Sequence, residues 1–148
     1  MAVEPDVRRV SGRPLVEGAA AGPVLVLERP LSFWGGVDPM TGHVSDPRHP
    51  QYGSSVAGRV LMMERAVGSS SSSAIMLELI RNQVAPAAVV MGKADAILAL
   101  GVLVARELGY ETLPMMECPE LDYGARELRG AHATVHPGGV TLRWDDEA

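Results

Sequence analysis

The sequence predicts an α/β domain built on a mixed sheet. Three observations lead there. Short apolar runs of strand length outnumber helical segments. Strand–helix–strand successions occupy the middle of the chain, and the C-terminal stretch reads as a hairpin, which adds antiparallel pairing to an otherwise parallel set. The 148 residues suit one domain, 1–148, long enough to bury a sizeable core.

Taken in order, residues 1–9 are expected to form a loose arm. Val10–Glu17 and Pro23–Glu28 read as strands on either side of the small-residue turn Gly18–Gly22. From Arg29 to Ser55 no period of 2 or 3.6 survives. Structureless stretches this long are uncommon inside compact domains and are usually functional or disordered. The adjacent aromatics Phe33 and Trp34 argue for order. An ordered binding loop is expected, the alternative being a surface excursion without a ligand. Gly58–Met63 is a short apolar run after a glycine, hence a buried strand.

Next comes the run Val67-Gly68-Ser69-Ser70-Ser71-Ser72-Ser73. It leads into Ala74–Arg81, where Ile75/Leu79 and Met76/Ile80 recur at helical spacing with Glu78 and Arg81 outward. That helix should stop near Asn82, ahead of Pro86. Ala87–Gly92 is the next buried strand. Asp95–Leu108 is a second helix with Ile97, Leu98, Leu100, Leu103, Val104 and Leu108 as its apolar face and Gly109 as its stop. Leu113–Met116 is a short strand, and Leu121–Arg129 carries no decisive pattern. Ala131–His136 and Val140–Trp144, joined by Pro137-Gly138-Gly139, form the hairpin, and Asp145–Glu147 should fray. There is no internal repeat.

Composition narrows the function classes. Apolar residues make up 47% and aromatics 4%, so Met and Val fill the core. A formal charge of −5 without any Lys/Arg cluster argues against nucleic acid or an anionic membrane as partner; Lys93 is the only lysine. Cys118 is the only cysteine, so one chain forms neither an internal disulfide nor a cysteine-based metal or cluster site. No signal-like leader and no run of membrane-spanning length occurs, and a cytoplasmic protein is expected.

The serine run lies where a strand ends and a helix begins. There the first backbone N–H groups lack intrahelical acceptors and the peptide dipoles present their positive end. Serine favours the N-cap, and Gly68 lets backbone approach a ligand closely. The stretch reads as a cradle for a carboxylate or phosphate, with a flexible serine linker as the alternative. A serine there does not become a base unaided. The helix terminus is worth about 0.3–2 kcal/mol, roughly one pKa unit, far too little for an alkoxide near neutrality. Further positive charge is needed, so the chain reads as part of a site. Elsewhere, His132 and His136 lack a third ligand, and Cys118 has no neighbouring base. Asp38, Asp46, His43 and His49 share the long loop, either as acid–base groups or as turn formers.

Several of these segments together resemble a known family. Phe33-Trp34-Gly35-Gly36-Val37-Asp38-Pro39, Thr41-Gly42, Asp46, His49-Pro50, Gly53, Val56-Ala57-Gly58 and Gly68–Ser73 resemble the aconitase X swivel domain. Glu78–Arg81, Ala85–Val89 and the Asp95–Ala105 pattern continue the likeness, which spans roughly Gly18 to Pro114. The resemblance implies a swivelling β/β/α fold with a mixed sheet, acting as a separate small subunit docked on an aconitase-like large subunit. That partner would hold an iron or iron–sulfur centre through its own cysteines, as Lewis acid on the departing hydroxyl, and this chain would bind no metal. Implied substrates are small carboxylate- or phosphate-bearing hydroxy acids, cis-3-hydroxy-L-proline or phosphomevalonate. Ser69 would be the base, with Gly68, Ser70, Ser71, Gly36, Asp38, Thr41, His49 and Arg65 around the substrate.

One position departs from the family pattern. Many relatives carry Arg before the glycine where this chain has Val67, removing a bidentate anion contact; Arg65, expected on the same strand face, is the candidate substitute. The alternative function is a non-catalytic or phosphohistidine-like swivel module that binds a partner protein.

Overall fold

The protein is described by a computed structural model over residues 6–144. The strands are β1 (Asp6–Ser11), β2 (Arg13–Val16), β3 (Ala20–Val26), β4 (Val60–Met63), β5 (Ala88–Met91), β6 (Met115–Glu117), β7 (His132–His136) and β8 (Gly139–Trp144). The helices are the single kinked turn α1 (Phe33–Gly36), α2 (Ser72–Arg81) and α3 (Ala96–Glu107). The strands lie in the order β1-β8-β7-β3-β4-β5-β6-β2. β3 to β6 run parallel, while both flanks are antiparallel. The sheet is mixed, as the sequence predicts.

Strand β3 is the hinge of the architecture. Ala20–Pro23 pairs with β7, and Val24–Val26 pairs with β4, so the sheet folds over along this one strand. Period-2 alternation then separates two cores. Leu25, Leu61, Met63, Val89, Met91 and Met115 face α2 and α3. Val24, Val26, Val60, Met62, Ala88, Val90 and Met116 face Val135, Val140 and Leu142 of the β7–β8 layer. Each fully buried Met, Leu or Val side chain stabilises the fold by roughly 1.5–3 kcal/mol. The result is a β/β/α stack.

Several expectations need correction. Of the expected arm, residues 6–9 belong to β1, whose backbone pairs with β8 from Asp6↔Trp144 onward; its side chains are exposed except Val10, so no apolar pattern marks it. Residues 1–5 of that arm, and the tail from Asp145, lie outside the described residues. Val10–Glu17 is two strands broken at Gly12, one joining β8 and the other β6 at the far edge. The expected turn Gly18–Gly22 already contains the first residues of β3. β4 ends at Met63, so Arg65 lies in the following loop and not on a strand face. Arg126–Leu128 forms a 3-10 turn. In α3 the buried side is Leu98, Ala99, Gly101, Val102 and Ala105, while Leu100, Leu103 and Val104 face outward. The helix is apolar almost all round, so hydrophobicity alone does not say which side packs. Small residues decide it: a Cβ on Gly101 would lie 2.4 Å from the Ser73 carbonyl oxygen.

Candidate active site

Strands β4, β5 and β6 end at one edge of the parallel sheet, where ligands of such sheets generally bind. The serine run follows β4 there. The Ser69 carbonyl accepts Ser72 N–H at 3.0 Å, and the Ser71 carbonyl accepts Ala74 N–H at 3.0 Å, so the chain begins winding before α2. Ser69 Oγ accepts the Ser71 N–H at 3.1 Å. The Ser73 hydroxyl donates to the Ser70 carbonyl at 3.0 Å. Ser69, Ser70 and Ser71 are exposed, and the N–H groups of Ser69 and Ser70 find no acceptor among the described residues. This end therefore presents N–H and O–H donors to whatever approaches, at the positive end of the helix.

The turn is braced by the long loop. Gly68 has φ +107°, and a Cβ there would fall 2.1 Å from Ser32 Oγ. Ser32 Oγ donates to the Trp34 carbonyl at 2.9 Å, and Trp34 N–H donates to the buried Ser72 hydroxyl at 3.2 Å. Ser32, Trp34 and Ser72 thus position the serines, which sequence reasoning missed. Ser72 hides inside its own run, although the neighbouring Phe33-Trp34 pair was a usable signal for an ordered contact. Asp95 was also missed as a neighbour. It caps α3 by accepting Leu98 N–H at 2.9 Å and lines, with Phe33, Gly68, Ser69 and Leu98, a cavity of only about 10 Å³. That is the space of a single water, so these walls enclose no substrate by themselves.

The remaining candidates separate. Gly36 is buried in α1, its carbonyl accepting Ser45 N–H at 2.8 Å. Asp38 Oδ1 accepts Met40 N–H at 2.9 Å, and Thr41 Oγ1 accepts His43 N–H at 3.2 Å. Their turn packs on Asn82, which donates to the Pro39 carbonyl at 2.8 Å. Asn82 caps the far end of the ten-residue α2, about 15 Å of helix from the serines. The structure does not bring Asp38 and Thr41 to Ser69. His49 is buried with both ring nitrogens engaged: Nδ1 accepts Gln51 N–H at 3.0 Å, and Nε2 meets the Arg29 carbonyl at 2.9 Å. Those partners assign the neutral tautomer with the proton on Nε2. Asp46 accepts the Arg48 N–H, which holds its carboxyl below the usual range as a turn former. Arg65 is exposed and opens on a separate cleft of about 400 Å³ with Glu64, Lys93, Asp122 and Tyr123.

No group of three His, Cys, Asp or Glu side chains among the described residues is placed to hold a metal ion. His136 Nε2 instead meets Thr141 Oγ1 at 3.2 Å. The Cys118 thiol is buried against the Ser11 carbonyl at 3.2 Å, and burial pushes its pKa up. No helix among the described residues is long and apolar enough to cross a membrane.

Against known proteins, a family model described as the aconitase X swivel domain matches residues 9–141. Cis-3-hydroxy-L-proline dehydratase of Pseudomonas aeruginosa is 46% identical over 103 residues, which is 70% of this chain and 18% of that protein. The phosphomevalonate dehydratase small subunit of Methanothermobacter thermautotrophicus is 40% identical over 113 residues, 76% of this chain and 82% of that protein. The chain thus spans under a fifth of the Pseudomonas enzyme and most of the archaeal small subunit. Among solved structures, Thermococcus kodakaraensis aconitase X in its holo-form superposes with a TM-score of 0.78 and 32% identity, covering 93% of this chain and 99% of that one.

Proposed function

The chain belongs to the aconitase X swivel domain family, and from that premise we propose that it is the small subunit of an aconitase X-type hydro-lyase, dehydrating a hydroxy acid of the cis-3-hydroxy-L-proline or phosphomevalonate class. Ser69 is the base that removes the proton alpha to the substrate carboxylate. One observation carries this: Ser69 Oγ accepts the Ser71 N–H at the mouth of α2, beside a cavity too small to hold a substrate without another wall. A hydrogen bond donated into that oxygen favours its charged form, in the same direction as the helix dipole. Together they contribute about 2–5 kcal/mol, roughly one and a half to four pKa units, which still leaves the hydroxyl far above neutrality. The rest of the charge must come from outside the chain.

The N–H groups of Ser69 and Ser70, free among the described residues, and the hydroxyls of Ser70 and Ser71 hold the substrate anion. Gly68 lets the turn pack against Ser32 and so sets its position, and Arg65, which opens on the separate cleft, is not among the groups that hold the anion. Gly36, Asp38, Thr41 and His49 shape and pin the loop. The large subunit closes the open side of the turn and carries the iron or iron–sulfur centre, for which the described residues offer no donor set. The departing hydroxyl leaves on that side, which this chain does not build. The phosphohistidine alternative would use His43, which leads through Asp46-Pro47 into turns and not into a helix, and this disfavours a carrier role.

The test is co-expression with the aconitase-like large subunit and an assay of water loss from both substrates. The isolated chain should be inactive and the complex active. Ser69→Ala should lower turnover about 10²–10⁴-fold with the complex intact, the range expected for a lost general base. A Ser69→Ala complex as fast as wild type would overturn the assignment.

A further inference from the structure

Helix α3 exposes Leu100 at 54%, Leu103 at 42% and Val104 at 38%, and Leu108 follows at its C-cap at 62%. Helix α3 also buries its opposite side, so its outer side is a second apolar stripe without a partner among the described residues, an arrangement that soluble helices normally cover. The one basic residue of its last turn does not screen the stripe. Arg106 instead reaches back to the Glu17 carbonyl at 3.2 Å and to Thr112 Oγ1 at 3.3 Å.

We propose that this stripe is a docking surface for the large subunit, continuous with the face that closes over Ser69. The inference rests on the function proposed above and places the partner on the fold. Continuity carries it. Ile97 and Leu98, in the first turn of α3, line the same small cavity as Val67, Gly68 and Ser69. Ile97, Leu100 and Val104 follow at helical spacing, one surface leading away from the serines. Val67, which lines that cavity too, is exposed, and so is Trp34, whose N–H donates to Ser72 Oγ beside the turn. A protein that supplies the missing wall at Ser69 therefore meets apolar surface around it.

Area sets how much more than α3 the partner must cover. A twelve-residue helix offers a strip of about 18 Å by 10 Å, on the order of 200 Å². A stable interface needs about 800 Å² from each partner. A contact confined to α3 falls short by about fourfold, so the occupant must cover neighbouring surface as well, as a large subunit that closes over Ser69 does.

The test compares Leu100→Asp/Val104→Asp with wild type, since neither residue belongs to the buried side. The double variant should keep the thermal midpoint of the isolated chain within a few degrees. Its affinity for the purified large subunit, read by titration calorimetry, should fall at least 100-fold, and wild type should gain hydrogen-exchange protection over residues 97–108 in the complex. Unchanged affinity would overturn the proposal, as would an isolated chain that forms a stable dimer broken by the same substitutions. Should the double variant instead lose its fold, the exchange footprint on the wild-type complex decides alone. Ser69→Ala separates this from the lyase reading: a complex that forms through α3 yet turns over normally with Ser69→Ala sinks the catalytic role and leaves the docking surface standing.

Discussion

At Gly68 two constraints meet that no other residue satisfies. The backbone takes φ +107°, and Ser32 Oγ occupies the place of a Cβ. Gly68→Ala should therefore destabilise the chain by at least about 1 kcal/mol and release the Ser32–Trp34 brace. Ser32→Gly in the same chain should recover the steric part but not the backbone part, which denaturation midpoints of the single and double variants can separate. At Cys118 the consequence is a pH dependence. Burial raises the thiol pKa, and it raises the Tyr123 phenol further, while that hydroxyl donates to the Cys118 carbonyl at 2.8 Å. Both groups keep their protons in the folded state and lose them more easily when unfolded, so at high pH the unfolded chain binds fewer protons. Their stabilising effect is complete below about pH 8.5, the ordinary thiol value, and declines as pH rises. Cys118→Ala should flatten the first part of that decline in urea titrations across pH 7 to about 10. Residue by residue, the serines were legible because their type and place announce a helix mouth. Ser32 was not, because a contact across dozens of residues leaves no local trace.

At the scale of elements, the site depends on how α2 and α3 cross. Gly101 sits against the Ser73 carbonyl and Met76, at 2.4 and 3.0 Å from a would-be Cβ. Gly101→Val should push the helices apart, cost about 1–3 kcal/mol in chemical denaturation, and reduce turnover of the complex by shifting the serine turn. Asp95 offers a gentler perturbation of the same region. Its Oδ1 caps Leu98 N–H, and Asp95→Ala should remove about 1 kcal/mol of stability. Comparable loss of stability without loss of turnover would show that the cavity wall tolerates movement there. Both helices were readable in the sequence to within two residues at each end. The packed side of α3 was not, because its large apolar residues outnumber the small ones that let it approach α2.

For the whole molecule, stability is distributed by layer. β4 and β5 are buried on both faces, whereas β1 is an edge strand exposed except at Val10. Hydrogen exchange should accordingly be slowest over Val60–Met63 and Ala88–Met91 and fastest over Asp6–Arg9; equal rates across the sheet would contradict this layering. The sequence by itself determined the α/β class, the family resemblance, the serine turn ahead of a helix, and the lack of any cysteine partner. Those follow from local periodicity, capping chemistry and composition, which a single chain carries in one dimension. Only the tertiary structure decided that β3 is shared between two pairings, that Asp38 and Thr41 belong to the far end of α2, and that the outer stripe of α3 is left uncovered by the described residues. The physical reason is common to all three. Each depends on which surfaces come together across long stretches of chain, and steric fit and backbone hydrogen bonding between distant segments settle that after the local pattern has had its say.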